Sequence, residues 1–259
     1  MKLTKKQHQW IKQLEDLWNF FDARLKNYGL KTSDLRLQLL LTLTVATHRL
    51  IRGFLAQLKG GSNDNLQSKL RTLTEALINV NYILSDDKDF RAKAFVLDSK
   101  KIRIRTLDKL IRLMEQEKAS SMEAINSIES YKELRESLKQ EVSEEENRLG
   151  EENASWPSVE QRAKRAGLEE YYPTVFYLFS QDNHMSVDSL FRFLKEVNGV
   201  TAFTTKLDLS DLDQEIQTAY AYYLQFANLC SEKLSFPTEE ELKEFNSSEM
   251  LTAVPFSAL

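Results

Sequence analysis

Two short patterns set polar residues on one helical face and so have the makings of a chemical site. In the run from Leu70 to Ala76, Arg71 and Glu75 stand four residues apart. A helix brings such a pair to one side. In the run from Tyr177 to Ser186, Ser180 and His184 repeat that spacing inside an aromatic stretch with Tyr171, Phe176 and Phe179. An imidazole can move a proton near neutral pH. A guanidinium can hold a phosphate or stabilise the charge developing on it. A carboxylate and a hydroxyl can orient both. If the two helices face each other, Arg71, Glu75, Ser180 and His184 form a sufficient set for metal-independent cleavage of RNA, with the 2′-hydroxyl as internal nucleophile. The same residues also fit structural roles: an intrahelical ion pair on one helix and a hydrogen-bonded core histidine on the other, together a buried polar network that fixes helix register.

A third pattern is basic. Lys100, Lys101, Arg103, Arg105, Lys109 and Arg112 crowd one helical stretch, with Asp108 against them, and Arg162, Lys164 and Arg165 form a second cluster. Lys100, Lys101, Arg105 and Arg112 are the candidate contacts for a nucleic-acid backbone. The alternative is a solvated face paired with an acidic neighbour. Other chemistries lack their residues. The histidines His8, His48 and His184 share no ligand spacing, and one cysteine makes no zinc pattern. There is no Glu-x-x-His of a di-iron bundle and no glycine-rich phosphate loop. The expectation is no metal and no cofactor.

The elements that position these residues read as helices. Ile11, Leu14, Trp18, Phe21 and Leu25 form one stripe of a first helix over about 4–28. A second helix runs from an Asp34 cap to about Lys59, and Gly60-Gly61 ends it. Its most apolar part, Leu35–Val45, is shorter than the roughly 20 residues of a membrane span and carries flanking charges, so it reads as a core helix. Leu66, Leu70, Leu73, Leu77, Val80 and Leu84 form the core stripe of a third helix, with Arg71, Glu75, Ile78 and Tyr82 beside it. A fourth helix covers about 87–117. From 121 to 152 there are ten Glu and few apolar residues, which predicts a solvated helix that packs on the fourth as a projecting antiparallel hairpin. Residues 150–157 read as a linker. A short helix capped by Ser158 and a longer helical stretch over 168–195 follow. Val197–Leu209 reads as a loop with room for a short strand pair. Leu212–Leu234 is a helix opened by Ser210, and Pro237 opens a last short one before a tail after Asn246.

Composition supports this reading. Seven Gly and four Pro in 259 residues are too few for the turns of a β-rich chain, and 42% hydrophobic residues suffice for a buried core. The expected class is all-α: a bundle built from 1–118 and 156–246, with 119–155 completing the hairpin. One cysteine excludes an internal disulfide, and the N-terminal residues lack the apolar stretch of a secretory signal. Both point to a cytoplasmic protein without a membrane span. A net charge of −4 argues against a DNA-coating protein but allows a local basic patch.

The pattern resembles a known family. The Arg-x-x-x-Glu helix at 70–79, then Trp156 to Arg162, Gly167, Tyr171 and Ser180-x-x-x-His184-x-Ser186, is similar to the signature of an uncharacterised prokaryotic all-helical family of unknown-function domains, itself HEPN-like. That resemblance implies a helical bundle, often dimeric. It implies either an RNA-cleaving toxin or defence effector, or a non-catalytic interaction module. HEPN-like nucleases usually carry an Arg, four to six intervening residues and a His on one helix. Here the nearest arginine upstream of His184 is Arg165, so Arg71 would come from another helix. The expected partners are RNA, a second copy of the chain, or a protein held by the acidic hairpin. A nucleotide or small-molecule pocket near His184 is the remaining alternative.

Overall fold

The computed structural model describes residues 3–62, 65–116, 122–150, 152–172, 194–197, 200–203 and 212–253. Among them are eight α-helices: α1 (Lys5–Leu25), α2 (Leu35–Lys59), α3 (Leu66–Leu84), α4 (Phe90–Gln116), α5 (Met122–Leu149), α6 (Val159–Arg165), α7 (Leu212–Leu234) and α8 (Glu239–Asn246). A 3-10 turn follows at Glu249–Ala253. The fold is all-α, and the described residues add one antiparallel hairpin, in which β1 (Leu194–Val197) pairs with β2 (Val200–Phe203), Val197 opposite Val200. The chain forms two compact units, 1–82 with 159–259, and 83–158.

The larger unit is built around α7. Fourteen of its side chains are buried, including Tyr220, Tyr222, Tyr223 and Phe226. Residues 215–224 are buried without a break, so this stretch is enclosed on every side, and α1, α2 and α8 pack on the helix. Helix α1 opens with a capping box, in which Gln7 N–H donates to Thr4 Oγ1 at 3.1 Å and Thr4 N–H to Gln7 Oε1 at 2.9 Å. It buries Trp10, Ile11, Leu14, Leu17 and Phe21. Asp34 caps α2, as its sequence position suggests. The helix is longer than its most apolar core: at 25 residues it is long and apolar enough to cross a bilayer by length and composition. In this fold its buried stripe of Leu40, Thr44, His48, Ile51 and Leu55 turns toward α1 and α7. Helix α3 buries Leu66, Leu70, Leu73, Leu77 and Val80 of its predicted stripe, and the last member, Leu84, is half-buried at the helix end. The adjacent stripe is closed at its C-terminal half, where Ile78 and Tyr82 are also buried.

The smaller unit is a helical hairpin. Cross-helix ion pairs fix its direction: Lys100–Glu141 at 2.8 Å, Lys101–Glu146 at 2.7 Å, Arg135–Asp108 at 3.1 Å and Lys132–Glu115 at 2.7 Å. Partners fall along α5 as they rise along α4, so the helices are antiparallel. Leu97, Val142, Leu149 and Ala154 form the unit's core, joined by Phe90 and Ile104. Gly150 ends α5 at φ +77°, a conformation open to glycine at little cost. The chain then folds back, and Trp156 packs on Phe95 with ring centroids 5.1 Å apart.

Candidate functional site

Arg71, Glu75 and Asn79 recur every fourth residue on α3 and so share one face. Arg71 and Glu75 are half-buried, and Asn79 is buried. The partner that organises this face comes from α6. Arg162 is only 4% exposed; its Nε donates to Asn79 Oδ1 at 2.9 Å and its Nη2 to Glu75 Oε1 at 3.4 Å. A buried guanidinium needs such partners, because an unpaired charge there is strongly disfavoured. The Glu75 side chain remains 41% exposed, so its carboxylate is held from the inner side and open on the outer. Three residues on, Arg165 Nη1 donates to the Tyr82 hydroxyl at 3.3 Å. The second basic cluster is therefore not a free surface track. Arg162 is a core residue, and Arg165 is tied to α3.

Ser180 and His184 lie outside the described residues, as do Phe176, Phe179 and most of the helical stretch expected over 168–195. Of the proposed four, the described residues bring Arg71 and Glu75 onto one helix face and add Arg162 and Asn79 behind them.

The four candidate nucleic-acid contacts divide. Lys100 and Lys101 are neutralised by Glu141 and Glu146 of α5, which is the solvated-face alternative. Arg105 and Arg112 are exposed, and among the described residues neither forms an ion pair.

A second polar cluster lies where α1, α2 and α7 meet. His48 Nε2 is 3.2 Å from Asp22 Oδ1, and its Nδ1 is 2.6 Å from the Tyr223 hydroxyl. Trp18 stacks on the imidazole at 4.7 Å and donates its Nε1–H to the His48 carbonyl at 3.1 Å. The hydrogen bond from Lys26 holds the Asp22 carboxyl below its ordinary range, so it is ionised and accepts only. In the neutral imidazole Nε2 then donates to Asp22 and Nδ1 accepts the Tyr223 proton. Burial likewise pushes His48 down and Tyr223 well up, so the chain of hydrogen bonds sits in its uncharged form from phenol to imidazole. It joins three helices and is enclosed by rings, which makes it a locking network. Cys230, beside Thr44 Oγ1 at 3.3 Å, is buried and pushed up to about 11 by that burial, so it is no nucleophile at neutral pH. Among the described residues no group of three or more His, Cys, Asp or Glu could hold a metal ion.

Nothing local in the sequence marks His48 as a cluster centre, since its partners stand 26 and 175 residues away. Arg162 had a signal of a kind: it ends the Trp156–Arg162 stretch, and with Arg165 it reaches across to α3.

Fold and site together define an all-α protein in which the polar clusters of the described residues are held between helices. The chain belongs to DUF5677, a family of unknown function whose model matches residues 37–201. No curated protein and no solved structure matches it. The matched span holds the whole Arg162–Glu75–Asn79 cluster and His184, and of the second cluster His48 but neither Asp22 nor Tyr223.

Proposed function

We propose that the chain is an HEPN-like endoribonuclease acting without a metal. The 2′-oxygen of RNA attacks the adjacent phosphorus and the bond to the 5′-oxygen breaks, leaving a 2′,3′-cyclic phosphate. One proton leaves the 2′-hydroxyl and one joins the departing 5′-oxygen. His184 moves these protons, Arg71 holds the phosphate, and Glu75 and Ser180 orient the groups. The observation that carries this reading is the anchored but half-open Glu75 carboxylate. Arg162 fixes it from the core, and Arg71 stands one turn before it on the same face. A fixed carboxylate beside a guanidinium is a preorganised arrangement for orienting a phosphodiester.

The test is cleavage of a labelled RNA by purified protein in the presence of a chelator, beside His184→Ala and Arg71→Ala. Loss of a general acid–base group costs about 100-fold or more in rate. The expected result is cleavage ending in cyclic phosphate that both variants lose. No cleavage by the folded wild-type chain, or equal cleavage by the variants, overturns the reading.

A further inference from the structure

Helix α4 has two unlike faces. Leu97, Leu107 and Ile111 are buried on the side turned to α5. On the opposite side Ile102, Leu110 and Leu113 are 49%, 36% and 57% exposed, with Thr106 exposed between them. Steps of four, four and three place these residues in one strip, about 17 Å long at the helical rise. Arg105, Lys109 and Arg112 run along one edge and Arg103 along the other. All four are exposed, and among the described residues none is ion-paired. The cations facing α5, Lys100 and Lys101, are neutralised; those bordering the apolar strip are left charged.

That border selects the occupant. A second copy is disfavoured: two such strips paired about a two-fold axis would set Arg105, Lys109 and Arg112 against their own equivalents, with the acidic helix α5 on the far side of each α4. RNA would find an aliphatic strip with no ring for a base to stack on. An anionic bilayer would meet a unit with 17 Asp and Glu against 14 Lys and Arg over 83–158, and a strip without Trp or Tyr anchors. We propose that the outer face of α4 docks an acidic amphipathic helix of another protein, with aliphatic residues at three- and four-residue spacing flanked by Asp or Glu. The aliphatics fill the strip, and the flanking carboxylates meet Arg103, Arg105, Lys109 and Arg112. This surface belongs to the 83–158 unit and does not depend on the RNA reading.

The probe is a labelled synthetic helical peptide of 18 residues with Leu on one face and Glu on both flanks, beside a twin in which each Glu is Lys. Binding to the full chain is followed by fluorescence anisotropy, with circular dichroism verifying that each variant is folded. The acidic peptide should bind and its Lys twin should not. Leu113→Glu should weaken binding at least tenfold, and the double variant Arg105→Glu, Arg112→Glu should reverse the preference in favour of the Lys peptide. Equal binding of the two peptides, or binding of neither, overturns the proposal. So does self-association abolished by Leu113→Glu, or selective binding of the chain to phosphatidylserine vesicles.

Discussion

Arg162 concentrates the free energy of the α3–α6 cluster in one side chain. Arg162→Met keeps the aliphatic bulk but leaves the buried Asn79 carbonyl oxygen without its donor and Glu75 without its anchor. Breaking a buried pair from one side costs about 3–5 kcal/mol, whereas exposed pairs contribute about 0–1 kcal/mol. Urea denaturation should therefore show a loss of about 3 kcal/mol for Arg162→Met and of about 1 kcal/mol or less for Glu75→Gln, whose carboxylate is 41% exposed. Equal losses would mean that the guanidinium is not the anchor. His48 makes a prediction in pH. Burial holds its folded value below the ordinary 6.5, so the unfolded chain takes up the proton first on acidification. The stability it contributes is complete above about pH 6.5 and declines as pH falls through that value toward the folded pKa. Asp22, held below 3.8, stays charged across this window. The urea midpoint of the wild-type chain should fall between pH 7 and 5, with a flatter profile in His48→Gln; identical slopes would remove His48 as the cause. Neither anchor was legible as such. Arg162 sits in an Arg-and-Lys run that reads as surface, and His48 gains its meaning from residues on two other helices.

Periodicity served the elements better than the residues, because it records burial directly. Of the α3 stripe, Leu66, Leu70, Leu73, Leu77 and Val80 are buried and the terminal Leu84 is half-buried, and Leu212–Leu234 keeps its predicted bounds. Helix α1 instead ends at Leu25, before Gly29, because its last turn closes through Lys26 and Asn27. Strand β1 begins at Leu194, inside the stretch read as helical to 195, and only β2 lies wholly in the segment without helical period; a four-residue strand is too short for alternation to stand out. The acidic composition of α5 reads correctly as solvated, while its partners Lys100, Lys101, Asp108 and Glu115 on α4 could be assigned only once the antiparallel register was known. Gly150 tests how sharply an element end is specified. At φ +77° a Cβ would meet nothing within 4 Å, so Gly150→Ala isolates backbone strain from packing. A left-handed non-glycine residue costs about 1–2 kcal/mol. Urea denaturation should show a loss of that size, and an unchanged stability would mean that the turn relaxes to another conformation.

At the scale of the whole molecule the two units draw on different sources of stability. The larger one encloses α7, where Tyr220, Tyr222, Tyr223 and Phe226 are buried without exception. The smaller one has a narrow core around Leu97, Val142, Leu149 and Ala154, and its cross-helix ion pairs are partly exposed. Each exposed pair contributes only about 0–1 kcal/mol, so the apolar cluster must supply most of the hairpin's stability. A chain built this way should open in parts, the element with fewer buried side chains first. Leu97→Ala is the lever: the side chain is 1% exposed, and truncating a buried leucine costs about 2–5 kcal/mol. Native-state hydrogen exchange read residue by residue should show amides of α4 and α5 losing protection by that amount while the central amides of α7 keep theirs. High salt should change the same α4 and α5 amides only slightly, since it screens the ion pairs and leaves the apolar core intact. If Leu97→Ala lowers protection in α7 equally, the two units unfold as one cooperative body, and the hairpin core must then be counted as part of the stability of the α3–α6 site.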